Sequence, residues 1–159
     1  MIISPLNLCF FDDFLTANEC QKIIDLKKSE LTKSTVVSTD TLQLIEHKAR
    51  TSSGSYFLKS ENDLIFDLEK RIASLTRQKI EQFESIQILH YAVGQQYECH
   101  YDYFADANSK HLIRGGQRIK TAVIYLNTPA LGGETYFPHY SALVKAVQGR
   151  IVLFNNVYE

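Results

Sequence analysis

Two hydrophobic periods divide the chain. From Ser85 onward the pattern repeats every second residue: Ile86, Ile88, His90 and Ala92 share one face and Gln87, Leu89, Tyr91 and Val93 the other. This predicts a strand ended by Gly94. Further strands are expected in YECHYDYF, RIKTAVIYLN, GETYF, ALVKAV and GRIVLF, separated by turn signals at Gly115-Gly116, Pro129, Gly132-Gly133, Pro138 and Gln148-Gly149. Upstream the period is helical. In FLTANECQKIIDLKKSEL the residues Cys20, Ile23, Ile24 and Leu31 recur at helical spacing behind a capping box of Thr16 and Glu19. A second helix is expected after Ser60, with Asp63 completing a capping pair and Leu64, Leu68, Ile72 and Leu75 in one apolar stripe. Between Leu31 and Tyr56 the text is rich in Ser and Thr, which predicts a long connection carrying one or two short irregular strands. The apolar start MIISPLNLCFFDDFL has no basic leader and is interrupted by Asp12 and Asp13 well short of a membrane span, so it reads as a buried N-terminal strand. Many short strands after two helices suggest a sandwich or barrel.

The length of 159 residues and 45% hydrophobic content suit one domain over residues 1–159, with helical support over roughly 1–82 and a β core over roughly 83–159. Lys and Arg number 17 against 18 Asp and Glu, a net charge of -1, so no overall field draws the chain to nucleic acid or an anionic membrane, and neither partner is expected. Cys9, Cys20 and Cys99 fit neither a disulfide framework nor a structural zinc site. A reducing compartment, the cytoplasm, is expected.

The chemistry concentrates in CHYDYF. His100 and Asp102 stand two apart, and on a strand alternate side chains share a face, so an imidazole and a carboxylate converge there. They are two-thirds of a 2-His-1-carboxylate triad, which suits iron(II) because it leaves cis positions open for a co-substrate and dioxygen.

Around this pair run QILHYAVGQQYECHYDYF, GGQRIKTAVIYLN, GGETYFP and GRIVLFNN, in that order, with RTSSGSYFL at residues 50–58 ahead of them. The series, covering roughly residues 10–157, resembles the prolyl 4-hydroxylase-type iron(II)- and 2-oxoglutarate-dependent dioxygenases. The resemblance implies a mainly β fold with flanking helices, a double-stranded β-helix of the jelly-roll type. It implies that His100 and Asp102 hold iron as the catalytic pair, and that Tyr91 and Thr121 contact 2-oxoglutarate. Arg50 and Tyr97 would meet a proline-containing peptide or protein substrate, and L-ascorbate would serve as reductant. By strand parity Tyr91 is expected to face inward with Leu89 and Val93. Gly132-Gly133 before Glu134 marks the approach to a short inner strand, and Phe104 to Gly116 is expected to be a mobile loop over the bound peptide.

The same resemblance places a second iron-binding histidine after GRIVLF and a basic anchor for 2-oxoglutarate beyond it, whereas the sequence ends at Glu159. The chain is therefore expected to be a fragment, incomplete at the C-terminal end of its β-helix. His47, His90, His111 and His139 are read as surface or satisfied polar residues rather than substitute ligands. Two functions follow from different classes. One is a hydroxylase of prolyl residues that converts 2-oxoglutarate to succinate; the alternative is a non-catalytic peptide-binding module on the same scaffold. A dioxygenase with a different target is a third reading, since an iron site does not select the C–H bond presented to it.

Overall fold

The structure is a computed structural model and describes residues 7–34, 36–37, 44–45, 49–105 and 110–157. In chain order its elements are β1 (Cys9–Phe11), α1 (Ala17–Lys27), β2 (Thr32–Lys33), β3 (Val36–Val37), β4 (Leu44–Ile45), β5 (Ser53–Tyr56), α2 (Asp63–Thr76), β6 (Gln87–His90), α3 (Lys110–Gly115), β7 (Lys120–Ile124), β8 (Thr135–Phe137), β9 (Ala142–Val144) and β10 (Ile151–Asn155). Single 3-10 turns occupy Ile80–Gln82 and Pro138–Tyr140. These elements form two compact units, Met1–Gln21 with Cys99–Glu159, and Lys22–Glu98. Among the described residues no helix is long and apolar enough to cross a membrane.

In the first unit β1, β10 and β7 make one antiparallel sheet in that order. Its register sets Phe10 beside Val152, Val152 beside Val123 and Phe154 beside Thr121, so these side chains share one face. The hairpin of β8 and β9 supplies Phe137, Ala142 and Val144 to the same core, where Leu8, Val144 and Val152 are buried together. Phe137 and Phe154 meet edge to face with ring centroids 5.0 Å apart. The Tyr125 hydroxyl shares a 2.6 Å hydrogen bond with Thr135, and burial pushes its pKa up. Ile151 and Leu153, on the opposite face of β10, are buried too. A strand covered on both sides needs a continuous apolar run, which is what IVLF provides.

The turn into β10 ties down the start of the unit. Leu15 N–H donates to the Gly149 carbonyl at 3.0 Å, and Gly149 N–H donates to that of Tyr125 at 2.8 Å. Next to it, Arg150 forks onto Asp12 through Nε at 2.6 Å and Nη2 at 3.1 Å, with its guanidinium 4.3 Å from the Phe10 ring centroid. The hydrogen bond from Arg150 holds the Asp12 carboxyl below its ordinary 3.8. A carboxyl depressed by folding stabilises the folded chain above its unfolded pKa, and that share disappears as the pH falls through the lower folded value. Arg150→Met is expected to move the Asp12 midpoint up toward 3.8, read by carboxyl NMR, and to remove the stability that the pair contributes above that pH.

In the second unit β2, β5 and β6 form an antiparallel sheet with β5 central, and β3 pairs with β4. Its buried apolar residues include Ile23, Phe57, Ile65, Leu68, Ile72 and Ile88. Lys27, also buried, reaches Glu30 at 2.9 Å and Glu61 at 3.1 Å while its ammonium lies 5.1 Å from the Phe57 ring centroid. Burial of that cation is tolerable because both carboxylates and the ring face meet it.

Several local expectations meet the structure and several do not. The Thr16–Glu19 box forms: Glu19 N–H donates to Thr16 Oγ1 at 3.2 Å, and Thr16 N–H donates to Glu19 Oε2 at 2.8 Å. The helix it opens stops at Lys27, short of Leu31. The second helix is capped by Asn62, whose side chain accepts from Ile65 N–H at 3.1 Å, and not by Ser60. Ser60 instead has a positive φ and gives its N–H and hydroxyl to the buried Glu69 carboxylate, which removes it from the capping position. Among the described residues the stretch from Leu31 to Tyr56 carries four short strands rather than one or two. YECHYDYF does not form a strand: only Tyr97 makes a bridge, to Arg50, and among the described residues no ladder runs along His100–Phe104. A strand exists only where a partner supplies the ladder, which the alternation of its own residues cannot guarantee. The loop from Phe104 is not uniformly irregular either, since its second half is α3. The first six residues, residues 106–109, His47 and the His111 side chain lie outside what is described.

Candidate active site

Despite the irregular backbone, His100 and Asp102 come together in the first unit. His100 Nε2 lies 3.1 Å from Asp102 Oδ1. Tyr101, between them, goes elsewhere: its hydroxyl meets His139 Nε2 at 3.0 Å, and its ring lies 5.2 Å from that of Tyr103. The period-two disposition expected of the pair thus survives without a strand.

The sheet places a hydroxyl behind the carboxylate. Thr121 follows Val123 on the inner face of β7, one step beyond the apolar core, and its Oγ1 donates to Asp102 Oδ2 at 2.6 Å. Asn156 continues the inner row of Val152 and Phe154, and its Nδ2 donates to Thr121 Oγ1 at 2.9 Å. Burial, the largest single influence, raises the Asp102 carboxyl. The hydrogen bonds from His100 and Thr121 and the nearby charges of His100 and Arg118 outweigh it, so the carboxyl sits below its ordinary value. It is therefore an anion at neutral pH, as a metal donor must be.

The return from the loop is pinned beside this site. Gln117 Oε1 accepts from Phe104 N–H at 2.7 Å, Gln117 Nε2 donates to the Phe104 carbonyl at 2.9 Å, and Arg118 lies 4.7 Å from the Phe104 ring centroid.

An imidazole nitrogen and a carboxylate oxygen 3.1 Å apart span the edge between two cis positions of an octahedral ion with bonds of about 2.1–2.2 Å. The donor set thus fits iron(II) at two positions. Among the described residues no third His, Cys, Asp or Glu joins them. His139 is engaged by Tyr101, in keeping with its reading as a satisfied polar residue.

The other expected site residues lie in the second unit. The Arg50 guanidinium is 4.8 Å from the Tyr97 ring centroid, and its Nη2 donates to Gln87 at 3.2 Å. Arg50 Nε is buried and has no hydrogen-bond partner among the described residues. Thr51 and Gln96 hold the two segments together, with Thr51 N–H to the Gln96 carbonyl at 3.0 Å and Gln96 N–H to Thr51 Oγ1 at 2.9 Å. Tyr91 departs from expectation. The strand ends at His90, and Leu89, Tyr91 and Val93 are exposed by 36%, 41% and 105%, while Ile88 of the opposite set is buried. Alternation says which side chains share a face, and only packing decides which face is covered.

A family model described as the 2OG-Fe(II) oxygenase superfamily matches residues 86–159, the stretch that holds His100, Asp102, Thr121 and Asn156. Residues 86–159 are thus of the 2OG-Fe(II) oxygenase superfamily, and the chain is similar to prolyl 4-hydroxylases over most of its length. Probable prolyl 4-hydroxylase 10 of Arabidopsis thaliana is 42% identical over 137 residues, covering 84% of this chain and 47% of the relative. Prolyl 4-hydroxylase 5 of the same plant is 43% identical over 138 residues, covering 86% and 46%. The chain spans about half the length of the curated relatives it matches. The structure of viral collagen prolyl hydroxylase from Paramecium Bursaria Chlorella virus-1, in its 2OG complex, superposes with a TM-score of 0.69 at 25% identity, over 93% of this chain and 77% of that one. A Pseudomonas putida prolyl-4-hydroxylase at 15% identity and a TM-score of 0.63, covering 98% and 83%, shares the fold. The mainly β architecture with flanking helices expected from the sequence is thus the double-stranded β-helix class of these proteins.

Asn156 and Gln117 were not singled out from the sequence. For Asn156 a signal exists, since it extends the inner row of β10 into the polar end of the face. For Gln117 there is none, because its role is a loop closure that no local pattern encodes.

Proposed function

We propose that this chain carries the iron end of a 2-oxoglutarate-dependent dioxygenase that hydroxylates prolyl residues of a peptide or protein. The observation that carries the reading is the His100–Asp102 pair, whose 3.1 Å donor separation matches one edge of an octahedral iron site. Iron(II) with 2-oxoglutarate and dioxygen supplies the oxidation, one oxygen atom entering succinate with release of carbon dioxide and the other the substrate C–H bond. The protein contributes position and charge. His100 and Asp102 hold the ion, and Thr121 fixes the carboxylate.

Arg50 and Tyr97 are the proposed substrate contacts. The buried Arg50 Nε, without a hydrogen-bond partner among the described residues, gives a donor for a peptide carbonyl, and the adjacent ring suits an apolar pyrrolidine. For 2-oxoglutarate, Tyr91 is the proposed contact, its side chain being 41% exposed, whereas the Thr121 hydroxyl is already committed to Asp102. L-ascorbate as reductant and a cytoplasmic setting complete the proposal, the latter supported by free thiols at Cys9, Cys20 and Cys99. A binding module would leave the His100–Asp102–Thr121 set without a physical purpose.

The test is turnover of the full chain with iron(II), 2-oxoglutarate, ascorbate and a proline-containing peptide. Succinate and peptide hydroxyproline are expected in equal amounts, and Arg50→Ala is expected to lower peptide kcat/KM about tenfold or more, mainly through KM. Succinate release indifferent to the peptide, or a peptide unchanged in mass, would refute the proline assignment.

A further inference from the structure

The Thr121 hydroxyl has one hydrogen and two acceptors within reach. Asp102 Oδ2 lies at 2.6 Å and Asn156 Oδ1 at 3.2 Å. The shorter, charge-assisted bond to the carboxylate takes the proton. Asn156 then meets Thr121 as a donor, through Nδ2 at 2.9 Å, which settles the orientation of its amide. Its backbone is itself fixed, with Asn156 N–H on the Ile119 carbonyl at 2.9 Å. The chain of donors therefore runs in one direction, from Asn156 to Thr121 to Asp102.

This direction has a consequence for the metal pair. Asp102 has two oxygens: Oδ2 is occupied by Thr121, and Oδ1 faces His100 Nε2 at 3.1 Å. We propose that Asn156 is a positioning residue that, through Thr121, restrains Asp102 to bind the metal ion by Oδ1 alone. The inference rests on the reading of His100 and Asp102 as metal donors and assigns Thr121 to the carboxylate rather than to 2-oxoglutarate. Partners of a metal's own ligands orient those ligands, and their loss costs roughly tenfold to a hundredfold in affinity.

Polarity separates this role from packing. Asn156→Asp keeps the shape but puts a second anion opposite the single Thr121 proton, so Asp102 loses its partner for part of the time. Asn156→Ala deletes the amide yet leaves that proton free for Asp102. A packing role makes Ala the worse change, and a plain electrostatic effect makes Asp bind a cation more tightly.

The experiment is a titration of the full chain with cobalt(II) under nitrogen, following the d–d bands for affinity and coordination. Thr121→Val and Asn156→Asp are expected to weaken binding roughly tenfold to a hundredfold and to alter the bands. Thr121→Ser is expected to stay near wild type, and Asn156→Ala to lose less than Asn156→Asp. Asn156→Asp that binds like wild type or more tightly, or Thr121→Ser as weak as Thr121→Val, overturns the proposal. Should circular dichroism show Asn156→Asp unfolded, unchanged affinity and bands in both Thr121→Val and Asn156→Ala overturn it equally. The underlying metal reading is separated by His100→Ala: cobalt binding indifferent to that change defeats the donor pair itself.

Discussion

Anaerobic addition of iron(II) and 2-oxoglutarate is expected to give the visible charge-transfer band of a chelate, and His100→Ala to remove it. His100 contributes one of the two donors that the structure brings together, its Nε2 3.1 Å from Asp102 Oδ1. Loss of a residue that merely supports a ligand costs roughly ten- to a hundredfold in metal affinity, so loss of a ligand should exceed about a hundredfold. The fold should not suffer. The side chain is 38% exposed, and the segment around it is irregular. Substitutions at such places usually shift stability by no more than about 0.5 kcal/mol. The expected outcome is an intact circular dichroism spectrum and melting transition with no band. A band that persists in the mutant would mean that the ion sits elsewhere. A band missing from the unmutated chain and from a C-terminally extended form alike would remove the premise of the proposed activity.

Gly149→Ala is expected to lower stability sharply. Gly149 has φ +81°, and a Cβ there would run into the carbonyl oxygen of Leu15, whose own N–H is bound to Gly149. The backbone share of such a change is about 1–2 kcal/mol, and overpacking against atoms that cannot swing aside adds about 1–3 kcal/mol. The total, about 2–5 kcal/mol, is a large part of the 5–15 kcal/mol typical of a whole domain. Gly132→Ala isolates the first share, because Gly132 has φ +77° with nothing within 4 Å of the added carbon. Thermal melts should therefore place Gly149→Ala well below Gly132→Ala, and Gly132→Ala modestly below the parent. Equal melting temperatures would mean that the segment before α1 yields to the new methyl group.

Elements with self-contained signals were readable from the residues. The capping box of Thr16 and Glu19 forms because both partners lie within one turn of chain. The strands in GRIVLF, RIKTAVIYLN, GETYF and ALVKAV appear where alternation and flanking glycines place them. The stretch Leu31–Tyr56 was under-read, because two-residue strands such as β3 and β4 owe their existence to each other rather than to composition. Asn62 displaced Ser60 as the helix cap because a distant carboxylate, Glu69, claimed the serine.

The candidate site divides the same way. By itself the sequence determined the chemistry: an imidazole and a carboxylate two residues apart, a threonine on an inward row, and an arginine and a tyrosine in separate segments. Only the tertiary structure decided how they meet. It drew His100 and Asp102 to 3.1 Å on a segment that is not a strand, and it stacked Arg50 on Tyr97, 47 positions further along the chain. It turned Tyr91 to the exposed side and gave the Thr121 proton to Asp102 with Asn156 behind it. The reason is physical. Donor types and parity are properties of residues and their neighbours in sequence, whereas which face is covered and which acceptor wins a proton depend on distances between segments.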